Sequence, residues 1–196
     1  MDKKQGVKKK NKKAGGKFKI VVNNFKYDRI IAKYAKKYGV APDLVKSVVS
    51  IESSFRPNVI SSKDCKGLMQ LSKAAVITIW GKKKAETKWK KIFDPETNIE
   101  TGTRYLKKWL TYYDGNVNKA LADYNWGHGN FSKFLKKHNN NLDHNLEALP
   151  KETKDFLTKY NKEAKEAFKK QKSGAFGECI WITIFGIHIC IRAVAP

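Results

Sequence analysis

Apolar residues recur at three- and four-residue spacing through residues 23–172, and this pattern predicts helices over almost the whole segment. The first helix runs to Tyr38 and stops at Gly39, which is typical of a helix C-terminus. The second begins at Pro42 and is apolar on nearly every side. Its apolar positions are Leu44, Val45, Val48, Val49 and Ile51. We therefore expect this helix to be central and buried.

The same spacing predicts five more helices. They are a short helix over Ala74–Trp80, a long amphipathic helix over Ile99–Tyr113, a helix over Val117–Tyr124, a short basic helix over Phe131–Lys137, and a last helix that opens at Leu149-Pro150. The sequence contains no internal repeat. The fold class is thus predicted to be mainly α, with one domain over residues 23–172.

Two segments of different composition flank this domain. Residues 1–22 are rich in Lys and Gly and predict a flexible basic tail without a recognisable secretory signal. Residues 173–196 are nearly uncharged, and β-branched residues on both sides of Phe185-Gly186 predict a β-hairpin. A membrane-inserting tail is the alternative for the second segment.

The chain is strongly basic, and this charge narrows the choice of partners. The 196 residues carry 41 Lys and Arg against 18 Asp and Glu, a net charge of +23. Such a balance favours a polyanionic partner, which can be nucleic acid, an anionic membrane surface or a bacterial wall. Nearly all of the charge is lysine, which lacks the planar fork that reads guanine, so nucleic acid is the weaker alternative.

The cysteines Cys65, Cys179 and Cys190 have no metal-ligand spacing. A Cys179–Cys190 disulfide and two free thiols are both open. We expect neither a metal nor an organic cofactor.

Glu52 is the strongest candidate for a catalytic carboxyl group, because it lies where the buried second helix ends. Apolar surroundings disfavour the charged form of a carboxyl group and raise its pKa, so that it can act as a general acid near neutral pH. The alternative is an ordinary solvated glutamate at a helix end.

Five short blocks, in order, resemble the catalytic domain of the soluble lytic transglycosylases, which have a lysozyme-like fold related to goose-type lysozymes. The blocks are Glu52-Ser53-Ser54-Phe55, Gly67-Leu68-Met69-Gln70-Leu71, Asn98-Ile99 with Gly102 and Tyr105-Leu106, Ala120 to Gly127, and Leu149-Pro150-Lys151-Glu152-Thr153. The resemblance covers residues 25–165. It implies a lysozyme-like helical domain with a catalytic cleft.

The resemblance also implies roles for individual residues. Glu52 matches the single acid that protonates the bond between N-acetylmuramic acid and N-acetylglucosamine in peptidoglycan, and then acts as the base. No second carboxylate is needed, because the muramoyl 6-hydroxyl attacks the anomeric carbon and leaves a 1,6-anhydro end. Substrate binding is expected from five residues: Ser54, Met69, Gln70, Tyr124 and Asn125.

Departures from the family pattern leave alternatives open. Asp64 is either a loop residue or a second carboxylate, which would permit lysozyme-type hydrolysis. Asp123 replaces a small residue, and we expect it to be a solvated acid at a helix end. Residues 125–130 predict a glycine-rich turn after Tyr124. For Trp126 and His128 in this turn, packing and stacking on a sugar both remain open. A non-catalytic protein that binds glycan or nucleic acid is the third functional reading.

The expected partner is therefore the peptidoglycan glycan strand, and the Lys-rich tail is expected to hold the protein on the anionic wall or membrane surface. We expect a monomer that acts in the cell envelope, the periplasm or outside the cell. Without a recognised signal, export by a phage or a secretion apparatus is included in this expectation.

Overall fold

The computed structural model describes residues 25–172, 179–184 and 187–192, and the side chains of residues 26–166. The predicted tail over residues 1–22 lies outside this part of the chain. The helices are α1 Asp28–Tyr38, α2 Pro42–Ser53, α3 Lys73–Lys90, α4 Pro95–Tyr112, α5 Val117–Trp126, α6 His128–Lys137 and α7 Lys151–Lys172. Short 3-10 turns cover Phe25–Tyr27 and Asp143–Ala148. The predicted mainly helical fold is confirmed.

The helix ends follow the local chemistry of the sequence. α1 stops at Gly39, whose φ of 62° lies in the left-handed region that glycine adopts without strain. α4 begins after Asp94, whose carboxylate accepts the Thr97 N–H at 2.8 Å, with Pro95 in the first turn.

α4 and α5 form the centre of the domain. α4 packs against α1, α3 and α5, while α5 also packs against α6 and α7, and α2 packs against α1 and α7. The predicted burial of α2 is confirmed, since Val45, Val48 and Val49 have no exposed surface. Glu52, near the C-terminal end of α2, lies within electrostatic range of Tyr124 on α5 and of Glu152 on α7.

The structure differs from the predicted elements in two places. α3 continues to Lys90 across an interruption at Gly81 (φ 71°, ψ 158°), although the prediction ended at Trp80. Beyond the interruption the helix is mostly lysine, and Ala85 is its buried residue, so periodicity gave little signal. The predicted turn over residues 125–130 is reduced to Gly127 between α5 and α6.

The C-terminal segment forms two antiparallel strands, β1 Cys179–Ile184 and β2 Ile187–Arg192. The predicted turn at Phe185-Gly186 lies outside the described residues. The register pairs Cys179 with Arg192 and Cys190 with Trp181, so the two cysteines are not directly opposite each other. A disulfide between them stays a prediction. In the described part of the chain, no helix is long and apolar enough to span a membrane.

Candidate active site

Glu52 lies in the last turn of α2, where the chain turns sharply. Ser54 and Phe55 both have left-handed φ angles, of 51° and 61°, so the backbone leaves the helix directly after the acid. The Glu52 side chain is largely enclosed, and this burial raises its pKa to about 8. The charge of Glu152 raises the pKa further, while Lys159 lowers it.

The Glu52 carboxyl group makes no hydrogen bond or ion pair with any residue that the structure describes. The neighbouring serines are engaged elsewhere or exposed. Ser53 is buried, and its hydroxyl donates to the Val49 carbonyl at 3.0 Å. Ser54 is exposed at the helix end. The acid is thus held by packing alone, and its proton is available to a ligand.

Asn98, on α4, fixes the loop over residues 66–71 next to the acid. Its Oδ1 accepts the Met69 N–H at 2.8 Å, and its Nδ2 donates to the Lys66 and Ile92 carbonyls at 3.0 and 2.8 Å. Gly67 (φ 79°) lies directly against this amide, since a Cβ there would come within 2.2 Å of Nδ2. The resemblance includes Asn98 in one of its blocks but implies no role for it. A polar residue on the buried face of the amphipathic helix α4 is the signal that could have found it, since Asn98 has no exposed surface.

Tyr124, on α5, binds the backbone carbonyl of Met69. Its hydroxyl donates to the Met69 carbonyl at 2.7 Å. Burial raises the pKa of Tyr124 well above its ordinary value, and the charges of Glu52 and Tyr105 act in the same direction. The phenol is therefore neutral and lies within electrostatic range of the acid.

Met69 supports the site rather than lining it. Its side chain has no exposed surface and lies against Gly102, where a Cβ would come within 2.3 Å of the sulfur. The backbone N–H of Met69 donates to Asn98, and its backbone carbonyl accepts from Tyr124. Direct contact of Met69 with substrate stays a prediction.

Gln70 has a defined orientation in the half-buried loop. Its Nε2 donates to the carbonyls of Val59 and Gly67 at 3.1 and 2.9 Å. Two carbonyl oxygens can only accept, so the amide nitrogen must face them. The Gln70 Oε1 is the atom left for a ligand, and it can accept a hydrogen bond from a hydroxyl or an N–H group.

Asn125 is oriented from the beginning of α7. The buried Thr153 hydroxyl donates to the Asn125 Oδ1 at 2.9 Å, which leaves the Nδ2 group as a donor. The Leu149–Thr153 block therefore has a structural role that the sequence did not reveal: it positions a residue of the predicted site.

Neither of the other nearby carboxylates is placed like Glu52. Asp64 is mainly exposed and pairs with Lys66 at 3.2 Å. Glu152 also forms an exposed ion pair, with Lys63, although its charge reaches Glu52. Among the described residues, no group of three or more His, Cys, Asp and Glu could hold a metal ion.

The prediction for Asp123 is wrong, because its side chain has no exposed surface. It lies one residue before Tyr124 on the inner side of α5, and burial raises its pKa. Its Oδ2 accepts the Tyr113 hydroxyl at 2.6 Å and lies 2.8 Å from the His128 Nδ1. Asp123 has both polar and apolar neighbours at helical spacing, so the sequence could not predict whether its side chain is buried.

The fold resembles those of two solved lytic transglycosylases. It matches an inactive mutant of the lytic transglycosylase Slt from Pseudomonas aeruginosa with a TM-score of 0.62 and 24% identity, over 78% of this chain and 25% of that one. The 70 kDa soluble lytic transglycosylase from Escherichia coli gives 0.60 and 24% identity, over 76% of this chain and 24% of that one. At this identity the similarity shows the fold.

Sequence comparison extends the similarity to a family. The family profile "Transglycosylase SLT domain" matches residues 29–147, which include Glu52 and Tyr124 but not Thr153. The membrane-bound lytic murein transglycosylase C proteins of Yersinia pestis (strain Pestoides F) and Serratia proteamaculans (strain 568) are 34% and 35% identical over 115 and 118 residues. Each alignment covers 53% of this chain, which spans 32% of the relative's length.

Proposed function

The chain belongs to the transglycosylase SLT domain family, and from this premise we propose that it is a peptidoglycan lytic transglycosylase. It cleaves the β-1,4 bond between N-acetylmuramic acid and N-acetylglucosamine and leaves 1,6-anhydro-muramoyl ends. Glu52 is the single general acid and base. The observation that carries this proposal is the enclosed Glu52 carboxyl group, with its raised pKa and no hydrogen-bond partner among the described residues.

A pKa of about 8 keeps Glu52 mainly protonated at pH 7. The proton goes to the glycosidic oxygen as the bond to the anomeric carbon breaks. The sugar's own acetamido oxygen assists this departure by bonding to that carbon. The Glu52 carboxylate then takes the proton of the 6-hydroxyl group, whose oxygen forms the new bond to the anomeric carbon and displaces the acetamido oxygen.

The surroundings of Glu52 support a reaction with one carboxylate. Glycosidases that use water pair two carboxyl groups across the bond. The exposed Asp64 pairs with Lys66, and Glu152 pairs with Lys63, so both are engaged by lysines. This supports attack by the substrate's own hydroxyl over lysozyme-type hydrolysis through Asp64.

The free polar atoms around the acid suit an N-acetylated sugar. The Asn125 Nδ2 group can donate to an acetamido carbonyl, and the Gln70 Oε1 can accept from an acetamido N–H or a hydroxyl. The exposed Ser54 hydroxyl lies two residues after the acid and supplies a further contact. Tyr124 and Met69 hold this surface in place through their hydrogen bond.

We place the activity at the cell wall, in the cell envelope or outside the cell. The net charge of +23 supports electrostatic retention on an anionic wall, with the Lys-rich residues 1–22 as the main contact. Binding of this kind weakens as salt is added, and we propose that the protein acts there as a monomer.

The proposal is tested by digesting purified peptidoglycan with the full chain and analysing the fragments by mass spectrometry. Anhydro-muramoyl ends are expected, at a mass about 18 Da (one water) below that of the reducing ends that hydrolysis leaves. Glu52→Gln should lower the rate by about 10²–10⁴ because the proton donor is lost. Reducing ends would favour hydrolysis, and equal digestion by Glu52→Gln would contradict the role of this residue.

A further inference from the structure

A pocket of about 410 Å³ lies beside the candidate site, between the beginning of α3, the middle of α4 and the turn at Gly127. Its lining includes Tyr105, Lys108 and His128. Tyr105 connects the pocket to Tyr124 of the candidate site, because the centroids of the two rings are 5.2 Å apart. The volume is within the range of small-molecule sites and suits a sugar ring with its substituents.

His128 supplies the aromatic wall of this pocket. Its imidazole ring stacks on Trp109 with centroids 4.6 Å apart and planes at 17°, and the Tyr112 ring meets it edge-on at 5.2 Å. Trp109 itself is only 3% exposed. The imidazole face is therefore the surface that a ligand meets, with the indole as its rigid support.

The buried Asp123 fixes the orientation of this ring. The His128 Nδ1 faces the Asp123 Oδ2 at 2.8 Å, and the same oxygen accepts the Tyr113 hydroxyl. The Nε2 edge is thus the polar edge left for the pocket. The other Asp123 oxygen is buried without a partner among the described residues. A buried carboxylate so incompletely bonded is costly, which indicates that its value lies in orienting His128.

Lys108 gives the pocket its charge. Its side chain is exposed on α4, and its Nζ lies 5.0 Å from the centre of the Trp109 ring. None of the pocket's lining residues is acidic, while Ser72 and Thr78 add hydroxyl groups. A site with an ammonium group, hydroxyls and an aromatic face complements a sugar that carries an anionic group.

We propose that this pocket binds a muramoyl sugar that carries no stem peptide, with the ring against His128 and the free lactyl carboxylate near Lys108. The inference rests on the proposed function. In a muramoyl sugar with a stem peptide the lactyl carboxyl group is consumed in an amide bond, so only a stem-free sugar presents it as a carboxylate. It makes Lys108 a specificity residue, His128 a contact residue, and Asp123 a positioning residue that acts through His128.

The test uses the full chain with Glu52→Gln, so that binding is measured without cleavage by titration calorimetry. The probes are an alternating N-acetylglucosamine and N-acetylmuramic acid tetrasaccharide, and chitotetraose, which lacks the carboxyl groups. Lys108→Gln should lower the affinity for the muramoyl probe about three- to fivefold, as expected for one exposed ionic contact. The affinity for chitotetraose should be unchanged. Lys107→Gln, at the adjacent exposed lysine outside the pocket, is the matched control and should change neither affinity.

His128→Ala should lower the affinity for both probes. The matched control is His138→Ala, which removes a ring packed on Phe134 outside the pocket and should change neither affinity. Equal effects of the Lys108 and Lys107 substitutions would mean non-specific attraction and would overturn the inference. So would equal losses for the two probes in Lys108→Gln, or no binding of either probe. If wild type still forms anhydro ends from peptidoglycan in these cases, the proposed function stands and only this pocket assignment fails.

Discussion

Replacing Glu52 by Gln is expected to stabilise the fold while it removes the activity. The folded protein raises the pKa of Glu52 from 4.5 to about 8, so it keeps a proton that the unfolded chain releases above pH 4.5. Wild type therefore loses stability as pH rises from about 4.5 to about 8, and the loss is constant above that range. Glutamine has no proton to lose, so the advantage of the variant should grow through the same window.

The pKa shift sets the size of this effect. A shift of 3.5, the difference between 8 and 4.5, corresponds to at most about 5 kcal/mol at alkaline pH. The Glu52 side chain keeps some contact with solvent, which reduces the penalty, so we expect about 2 kcal/mol. For a chain of this length that is a Tm difference of roughly 4–8 °C.

Thermal unfolding followed by circular dichroism at about pH 4.5 and about pH 9 measures this difference. Glu166→Gln, the same substitution at an exposed position of α7, controls for the loss of one negative charge. A difference in stability between wild type and Glu52→Gln that stays constant with pH would contradict this expectation. It would mean that the Glu52 carboxyl group is as well solvated in the fold as in the unfolded chain.

Three further substitutions test the same site. Glu152→Gln removes a charge that raises the pKa of Glu52, so the alkaline limb of the pH profile of kcat/KM should move to lower pH; an unmoved or raised limb would contradict this. Tyr124→Phe leaves the Met69 carbonyl without its donor and should cost about 1–3 kcal/mol in urea unfolding, with slower digestion of peptidoglycan. Gly102→Ala forces a Cβ against the Met69 sulfur and should cost about 1–3 kcal/mol, whereas unchanged stability would mean that Met69 can move aside.

The helices could be predicted from the sequence because their apolar faces and end signals agree. α2 shows this best: Pro42 opens it, its valines are buried, and it breaks next to Glu52 as the pattern indicated. The second half of α3 was missed for the opposite reason. A lysine-rich helix with Ala85 as its buried contact has almost no periodicity to read.

The candidate site was only partly predictable, because its support comes from contacts between distant segments. The sequence singled out Glu52, Gln70 and Tyr124 through short motifs. Asn98 and Thr153 act through hydrogen bonds to residues 29 and 28 positions away, and no local pattern encodes such a pairing. The burial of Asp123 is equally non-local.

The hydrogen bonds around Glu52 are distributed in a way that suits general acid catalysis. Asn98 and Tyr124 bind the backbone N–H and C=O of Met69, and Thr153 binds the side chain of Asn125. The neighbours of the acid are therefore fixed by the core. The Glu52 carboxyl group, in contrast, has no hydrogen-bond partner among the described residues. A hydrogen bond donated to the Glu52 carboxylate would favour its charged form and lower its pKa. In the proposed reaction, rigid surroundings together with an unpartnered carboxyl group would keep the proton available until a glycosidic oxygen comes within reach.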